Sequence, residues 1–96
     1  MAKLSYCISD EELKAALLEF RHLQDILRWG FTQFNKANLY YGHGTDNAWD
    51  EILYLVLSTL KLGSHLNPCF LAASLSLSER RLVIENIRQR VEDRIP

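Results

Sequence analysis

The sequence predicts an all-α fold, a single domain of about four to five helices packed as a small orthogonal or up-down bundle. Apolar residues recur at steps of three and four along most of the 96-residue chain, and this is the period of a helix. Two capping boxes, Ser9-Asp10-Glu11-Glu12 and Ser76-Leu77-Ser78-Glu79, mark the starts of helices. Glycine and proline, which punctuate turn-rich folds, number only four and two. The length supports one domain, residues 1–96.

The first helical run follows the Ser9 capping box and is expected from about Asp10 to Ala37, either unbroken or interrupted near Leu18–Phe20. Its apolar positions lie three or four residues apart: Leu13, Ala16, Leu17, Phe20, Leu23, Leu27, Phe31 and Phe34. Gly30 lies inside this run, where glycine costs about 1 kcal/mol relative to alanine. We therefore expect Gly30 to serve close helix packing or a bend.

A second helix is predicted after residues 38–47, the longest polar and glycine-rich stretch of the chain. Asn47 is a good N-cap, and Asp50 lies in the first turn, where the helix macrodipole favours an acid. Nearly every residue from Trp49 to Leu60 is apolar, which predicts a helix that is apolar all round and buried at the centre of the bundle. A β-strand over Ile52–Leu57 is the alternative, and the length of the run and its cap favour the helix.

A short helical turn and a final helix are predicted for the remainder of the chain. Gly63 closes a connection, and Asn67-Pro68 restarts a turn of helix because proline suits the first helical position. Behind the Ser76 capping box, one apolar stripe predicts a helix to about Arg94: Val83, Ile84, Ile87, Val91 and Ile95.

Two features of the final helix bear on its surroundings. Arginines cover its other faces, and the acids among them predict a solvated surface with ion pairs, such as Glu85 with Arg88, rather than a nucleic-acid face. Proline commonly follows a helix because it cannot continue one. We therefore expect Pro96 to begin a connection to a further segment of a longer protein.

Composition and charge exclude several classes of function. The net charge is −1, and residues 1–51 carry five basic and eight acidic side chains, so any partner of this half would be basic rather than a nucleic acid. The longest apolar run, Ile52–Leu57, is far shorter than the roughly 20 residues that span a bilayer. The first residues lack the apolar core of a signal peptide, and Cys7 and Cys69 have no CxxC spacing. We expect a cytoplasmic protein with two reduced thiols and no membrane partner.

Motifs for chemistry are sparse. The three histidines, His22, His43 and His65, have no recognised metal-ligand spacing, and the sequence contains no Walker loop and no GxSxG motif. We expect no catalytic, cofactor-binding or metal-binding residue in this chain. One stretch stands out because aromatic and polar side chains flank two glycines there, as in recognition surfaces: Tyr40, Tyr41, His43, Thr45, Asp46 and Trp49. The alternative is structural, with the glycines turning the chain, Thr45 or Asp46 bonding loop backbone and Trp49 fixing the loop to the core.

The same stretch carries a resemblance to a known family. The run Tyr41-Gly-His-Gly-Thr-Asp-Asn-Ala-Trp-Asp-Glu51 resembles the signature of the N-terminal domain of PrmB-type enzymes, HemK-like methyltransferases that methylate a glutamine side-chain amide of large-subunit ribosomal protein L-three. Flanking matches extend the resemblance from about Ser9 to Pro96: Leu27-Arg28-Trp29, Phe34, Ala37-Asn38, Ser78-Glu79, Ile84, Arg90 and Arg94-Ile95-Pro96. Ala48 and Tyr40 depart from it, since the family often has proline and tryptophan there; Ala48 still suits a helix start.

The resemblance implies a helical N-terminal domain joined to a Rossmann-like domain that binds S-adenosylmethionine. In the family, the Asn-Pro-Pro-Tyr motif and the glycine-rich cofactor loop belong to that second domain, and this chain contains neither. Two functions follow: recognition of the basic ribosomal protein for a catalytic domain outside this chain, or a mainly structural helical cap on that domain. A helical protein-interaction adaptor unrelated to methylation is a third possibility.

Overall fold

The first helical run of the sequence is two helices in the computed structural model, which describes residues 6–37, 47–63, 65 and 67–93. Helix α1 spans Asp10–Glu19 and α2 spans Leu23–Ala37. Helix α3 spans Ala48–Leu60, a 3-10 turn covers Pro68–Ala72, and α4 spans Leu77–Asp93. The all-α prediction is confirmed; within the described ranges the nearest approach to a sheet is one isolated bridge, between His22 and Ser74.

The break between α1 and α2 has a tertiary cause. Phe20 is extended and ends α1 by donating its N–H to the Ala16 carbonyl. The next backbone groups bond a distant segment: the Leu23 N–H donates to the Ala73 carbonyl (3.1 Å), and the Leu75 N–H donates to the Arg21 carbonyl (2.8 Å). These groups would otherwise be available to a continuous helix, so the chain that follows the 3-10 turn fixes where the first run divides.

Helix α2 is the centre of the core, and it packs against α3, α4 and the 3-10 turn. Gly30 explains how closely it does so: a Cβ at this position would lie 2.4 Å from Ile52 Cδ1 and 3.1 Å from Ile87 Cδ1. The expectation of close packing at Gly30 is therefore confirmed. Helix α1 packs on α4. The main core is apolar and comprises Ile8, Leu23, Ile26, Leu27, Phe34, Ala37, Ala48, Ile52, Val56, Val83, Ile87 and Val91.

The prediction that α3 is buried all round was wrong. Ile52 and Val56 are fully buried, but Trp49 is 43% exposed and Tyr54 is 68% exposed. Among the described elements, α3 packs on α2 and α4. These two neighbours leave part of α3 exposed, although its central residues, Ile52–Leu57, are all apolar.

Local signals set the helix ends largely as expected. Ser9 caps α1 by accepting the Glu12 N–H, and both bonds of the second capping box form, since Ser76 Oγ accepts the Glu79 N–H and Glu79 Oε1 accepts the Ser76 N–H. Asn67 caps the 3-10 turn. Helix α3 ends on Lys61 in the left-handed conformation, two residues before Gly63, which also has a positive φ.

Ion pairs on α4 differ from the predicted partners. Arg88 pairs with Asp10 of α1 (2.9 Å) and with Glu92 (3.2 Å) rather than with Glu85. Glu92 follows Arg88 by one helical turn, and Asp10 is brought near by the packing of α1 on α4, which a helical pattern alone does not reveal. The expected end of this helix, near Arg94, falls just outside the described residues.

Candidate functional site

Five of the six predicted recognition residues, Tyr40, Tyr41, His43, Thr45 and Asp46, lie outside the described part of the structure. Their role therefore stays a prediction. The sixth, Trp49, and the residues on both sides of segment 38–46 are described.

The two ends of segment 38–46 are attached to well-packed helices. Before the segment, Phe34 and Ala37 of α2 belong to the core. After it, Asn47 caps α3, as predicted: its Oδ1 accepts the Asp50 N–H at 2.8 Å, and its Nδ2 donates to Asp50 Oδ2 at 3.2 Å. The double contact satisfies an otherwise unpaired N–H of the first turn and orients the Asp50 carboxylate.

Trp49 is both packed and accessible. Its ring meets Phe31 of α2 edge-on, with 6.0 Å between the centroids and 73° between the planes, a geometry typical of favourable aromatic pairs. The residue is nevertheless 43% exposed. The contact with Phe31 agrees with the structural interpretation of Trp49, and its exposed part is accessible from solvent.

An ion pair between Glu51 and Arg90 holds this end of the bundle together. Arg90 Nε donates to Glu51 Oε2 at 2.8 Å, and the two side chains are only 10% (Arg90) and 16% (Glu51) exposed. The pair joins the first turn of α3 to the last part of α4. Nothing in the sequence relates the two residues, because a separation of 39 positions gives no local signal.

A groove on the open side of α3 was not predicted. It has a volume of about 430 Å³ and a mostly apolar surface, and it is lined by Asp50, Leu53, Tyr54, Leu57, Ser58, Lys61 and Gly63. The sequence feature that corresponds to it is the apolar run Ile52–Leu57, which by itself also predicts complete burial.

A second groove, of about 480 Å³, lies along α1 and α2 and has a different character. Glu12, Asp25, Arg28 and Lys36 contribute charges of both signs beside the rings of Phe20 and Trp29. Nearby, the Tyr6 hydroxyl donates to Oε1 of the buried Gln33, which joins the segment before α1 to α2. Burial, with Glu12 and Cys7 as smaller influences, raises the pKa of Tyr6.

In addition to the two grooves, the described residues include two free thiols. No group of three His, Cys, Asp or Glu side chains that could hold a metal ion occurs among them. Cys7 and Cys69 are both exposed free thiols. No helix in the described ranges is long and apolar enough to cross a bilayer.

Fold and surface together define a small helical domain with an exposed aromatic residue at the start of one helix and an apolar groove along that helix. Comparison with curated proteins identifies relatives of this domain. The chain is 41% identical over 81 residues, 84% of its length, to a ribosomal protein uL3 glutamine methyltransferase of Neisseria gonorrhoeae. It is 42% identical over the same share to the protein of that name from Neisseria meningitidis. The resemblance stated from the sequence is thereby confirmed, and uL3 is the ribosomal protein called L-three above.

The match covers only part of each relative. The chain spans about a quarter (27%) of the length of these two relatives. No family model matches the chain, and no solved structure matches it.

Proposed function

We propose that this chain is the helical accessory part of a protein glutamine methyltransferase that acts on ribosomal protein uL3. The observation that carries the proposal is 41–42% identity over 84% of the chain to two proteins with that name. Because the chain spans 27% of these relatives, the methyl transfer and its S-adenosylmethionine site are assigned to the remainder of such a protein. Methylation of uL3 would take place in the cytoplasm, where ribosomal proteins are made.

Within that protein, we assign substrate recognition to segment 40–49. The support is a partly exposed Trp49 held rigid by Phe31 and by the cap at Asn47, directly after the predicted contact residues. A fixed aromatic side chain gives contact area at a low cost in conformational entropy. The excess of acids in residues 1–51 suits a basic ribosomal protein, because complementary charge speeds encounter.

The test is a calorimetric titration of purified uL3 into this chain and into a variant with Tyr41→Ala, His43→Ala and Trp49→Ala together. We expect the triple variant to bind at least tenfold more weakly, since central aromatic residues each contribute on the order of 2 kcal/mol to an interface. A matched control replaces three exposed leucines of α1 and α4, Leu18, Leu77 and Leu82, by alanine and should bind as the unchanged chain does.

Equal binding by the unchanged chain and the triple variant would show that segment 40–49 is not part of the interface. Absence of binding by both would show that this chain does not recognise the substrate. Circular dichroism of each variant verifies that it is folded, because Trp49 also contacts Phe31.

The alternative, a mainly structural cap for the catalytic part, is supported by exposed apolar side chains on α1 and α4. Arg80 Nη1 donates to the Leu17 carbonyl (2.8 Å) and so joins the end of α1 to the start of α4. On these two helices Leu18, Leu77 and Leu82 are exposed, and such side chains suit contact with another domain. If this function holds, their triple alanine variant loses association with the separately expressed catalytic part, whereas the segment 40–49 variant keeps it.

A further inference from the structure

The open side of α3 carries an ordered stripe that the proposed recognition segment does not use. Positions 50, 53, 54, 57, 58 and 61 line the groove and follow the i, i+3, i+4, i+7, i+8, i+11 spacing of one helix face. Of these lining residues, Leu57 is buried (4% exposed) and Tyr54 is 68% exposed. Asp50 and Lys61 border the two ends with opposite charges.

This stripe is complementary to itself when it is reversed. A two-fold axis midway between positions 55 and 56 would place Asp50 of one helix opposite Lys61 of another, and Tyr54 opposite Leu57. Each contact occurs twice, as in any isologous interface. We propose that this groove is an interface between two copies of the chain, with their α3 helices packed antiparallel.

The end charges favour a second copy over other occupants. A uniformly basic partner lying along the stripe would be repelled at Lys61, and a uniformly acidic one at Asp50. The antiparallel copy meets an opposite charge at both ends. In the middle, the exposed Tyr54 ring enters the space above Leu57 of the other helix, and this contact removes the most exposed aromatic side chain of α3 from water.

The size of the stripe makes the association weak. From Asp50 to Lys61 the helix rises about 16 Å, at 1.5 Å per residue. A contact of three helical turns lies below the standard size of stable protein interfaces, so we expect a dissociation constant on the order of 100 µM. The dimer therefore forms only at high local concentration.

The test is sedimentation equilibrium of the 96-residue chain at concentrations around the expected dissociation constant. The same measurement is made on variants in which the charges at positions 50 and 61 are reversed. Asp50→Lys alone, or Lys61→Asp alone, places like charges opposite each other at both ends and should weaken self-association about tenfold. The double variant, Asp50→Lys with Lys61→Asp, restores both pairs and should associate as the unchanged chain does. An equimolar mixture of the two single variants should also associate, because each supplies the charge that the other lacks.

Two matched substitutions separate the stripe from general surface apolarity. Tyr54→Ala should reduce association at least tenfold, and Leu18→Ala should leave it unchanged, although the two side chains are equally exposed (68% and 69%). A chain that stays monomeric throughout the range overturns the proposal. So does association that Tyr54→Ala or the single charge reversals leave intact. Neither result bears on the uL3 titration, which changes other residues.

Discussion

Replacing Gly30 by alanine has two opposing effects on the stability of the fold. In the middle of a helix, alanine is favoured over glycine by about 1 kcal/mol, so a surface position would gain stability. At Gly30 the new methyl group would lie 2.4 Å from Ile52 Cδ1, 2.8 Å from Ile52 Cγ1 and 3.1 Å from Ile87 Cδ1. Ile52 and Ile87 are fully buried, so neither side chain can move without displacing other core atoms.

The overpacking outweighs the helix propensity. An extra methyl group in a filled core costs about 1–3 kcal/mol. Because the nearest atom is the far end of a side chain, part of the clash relaxes, and we expect a net loss of about 1–2 kcal/mol in the free energy of unfolding. For a domain of this size, that is a substantial part of the total, which is roughly 5–14 kcal/mol.

Urea unfolding followed by circular dichroism measures this loss. Gly30→Ala should lower the midpoint with an unchanged m-value. Asn35→Ala, at an exposed position of the same helix, should be neutral or stabilising by up to about 0.5 kcal/mol. Ile52→Val removes the closest atom, so Gly30→Ala should cost less in that background. A Gly30→Ala variant as stable as the unchanged chain would refute the close approach of α2 to α3.

Three further predictions concern single contacts. Glu51→Gln should destabilise the fold by about 2 kcal/mol in urea unfolding, because it removes the charge that compensates the nearly buried Arg90; a change within error would contradict a structural role for the pair. Ser76→Ala should lower the free energy of unfolding by about 1 kcal/mol, because the N-cap of α4 is lost. Calorimetric melting measures this loss, and Ser78→Ala, which keeps the bond from the Glu79 N–H to Ser76 Oγ, is the control. The raised pKa of Tyr6 means that the folded state holds this proton more tightly than the unfolded state, so its contribution to stability is complete below the ordinary tyrosine range and is lost as pH rises through the folded-state pKa. Unfolding measured from neutral to alkaline pH should show this decline, and Tyr6→Phe should remove that part of it.

Sequence patterns predicted the helices because the signals for them are local. Capping residues and apolar spacing depend only on neighbours within a few positions, and the caps at Ser9, Asn47 and Ser76 formed as expected. The interruption after α1 was foreseen as one alternative, but its place was set by backbone bonds to residues 73–75. A bond over that separation leaves no trace in local spacing.

Composition alone does not specify which faces of α3 are buried. A run of consecutive apolar residues such as Ile52–Leu57 is equally consistent with burial on every side and with a binding face, and the number of packing neighbours decides between them. With α2 and α4 as its neighbours among the described elements, α3 retains an open face at Tyr54. Of the candidate site, the cap at Asn47 forms as predicted from sequence and the recognition role of Trp49 stays a prediction, whereas the Glu51–Arg90 pair and the groove required the tertiary structure.

The most direct test of the proposed function is a methylation assay with the full-length protein that contains this chain. The protein is incubated with unmodified uL3 and S-adenosylmethionine, and peptides of uL3 are then sequenced by mass spectrometry. The proposal predicts one added methyl group on a glutamine side chain, and a lower rate at limiting uL3 when Tyr41, His43 and Trp49 are replaced by alanine. An unmethylated uL3, or a methyl group on a residue other than glutamine, would contradict it.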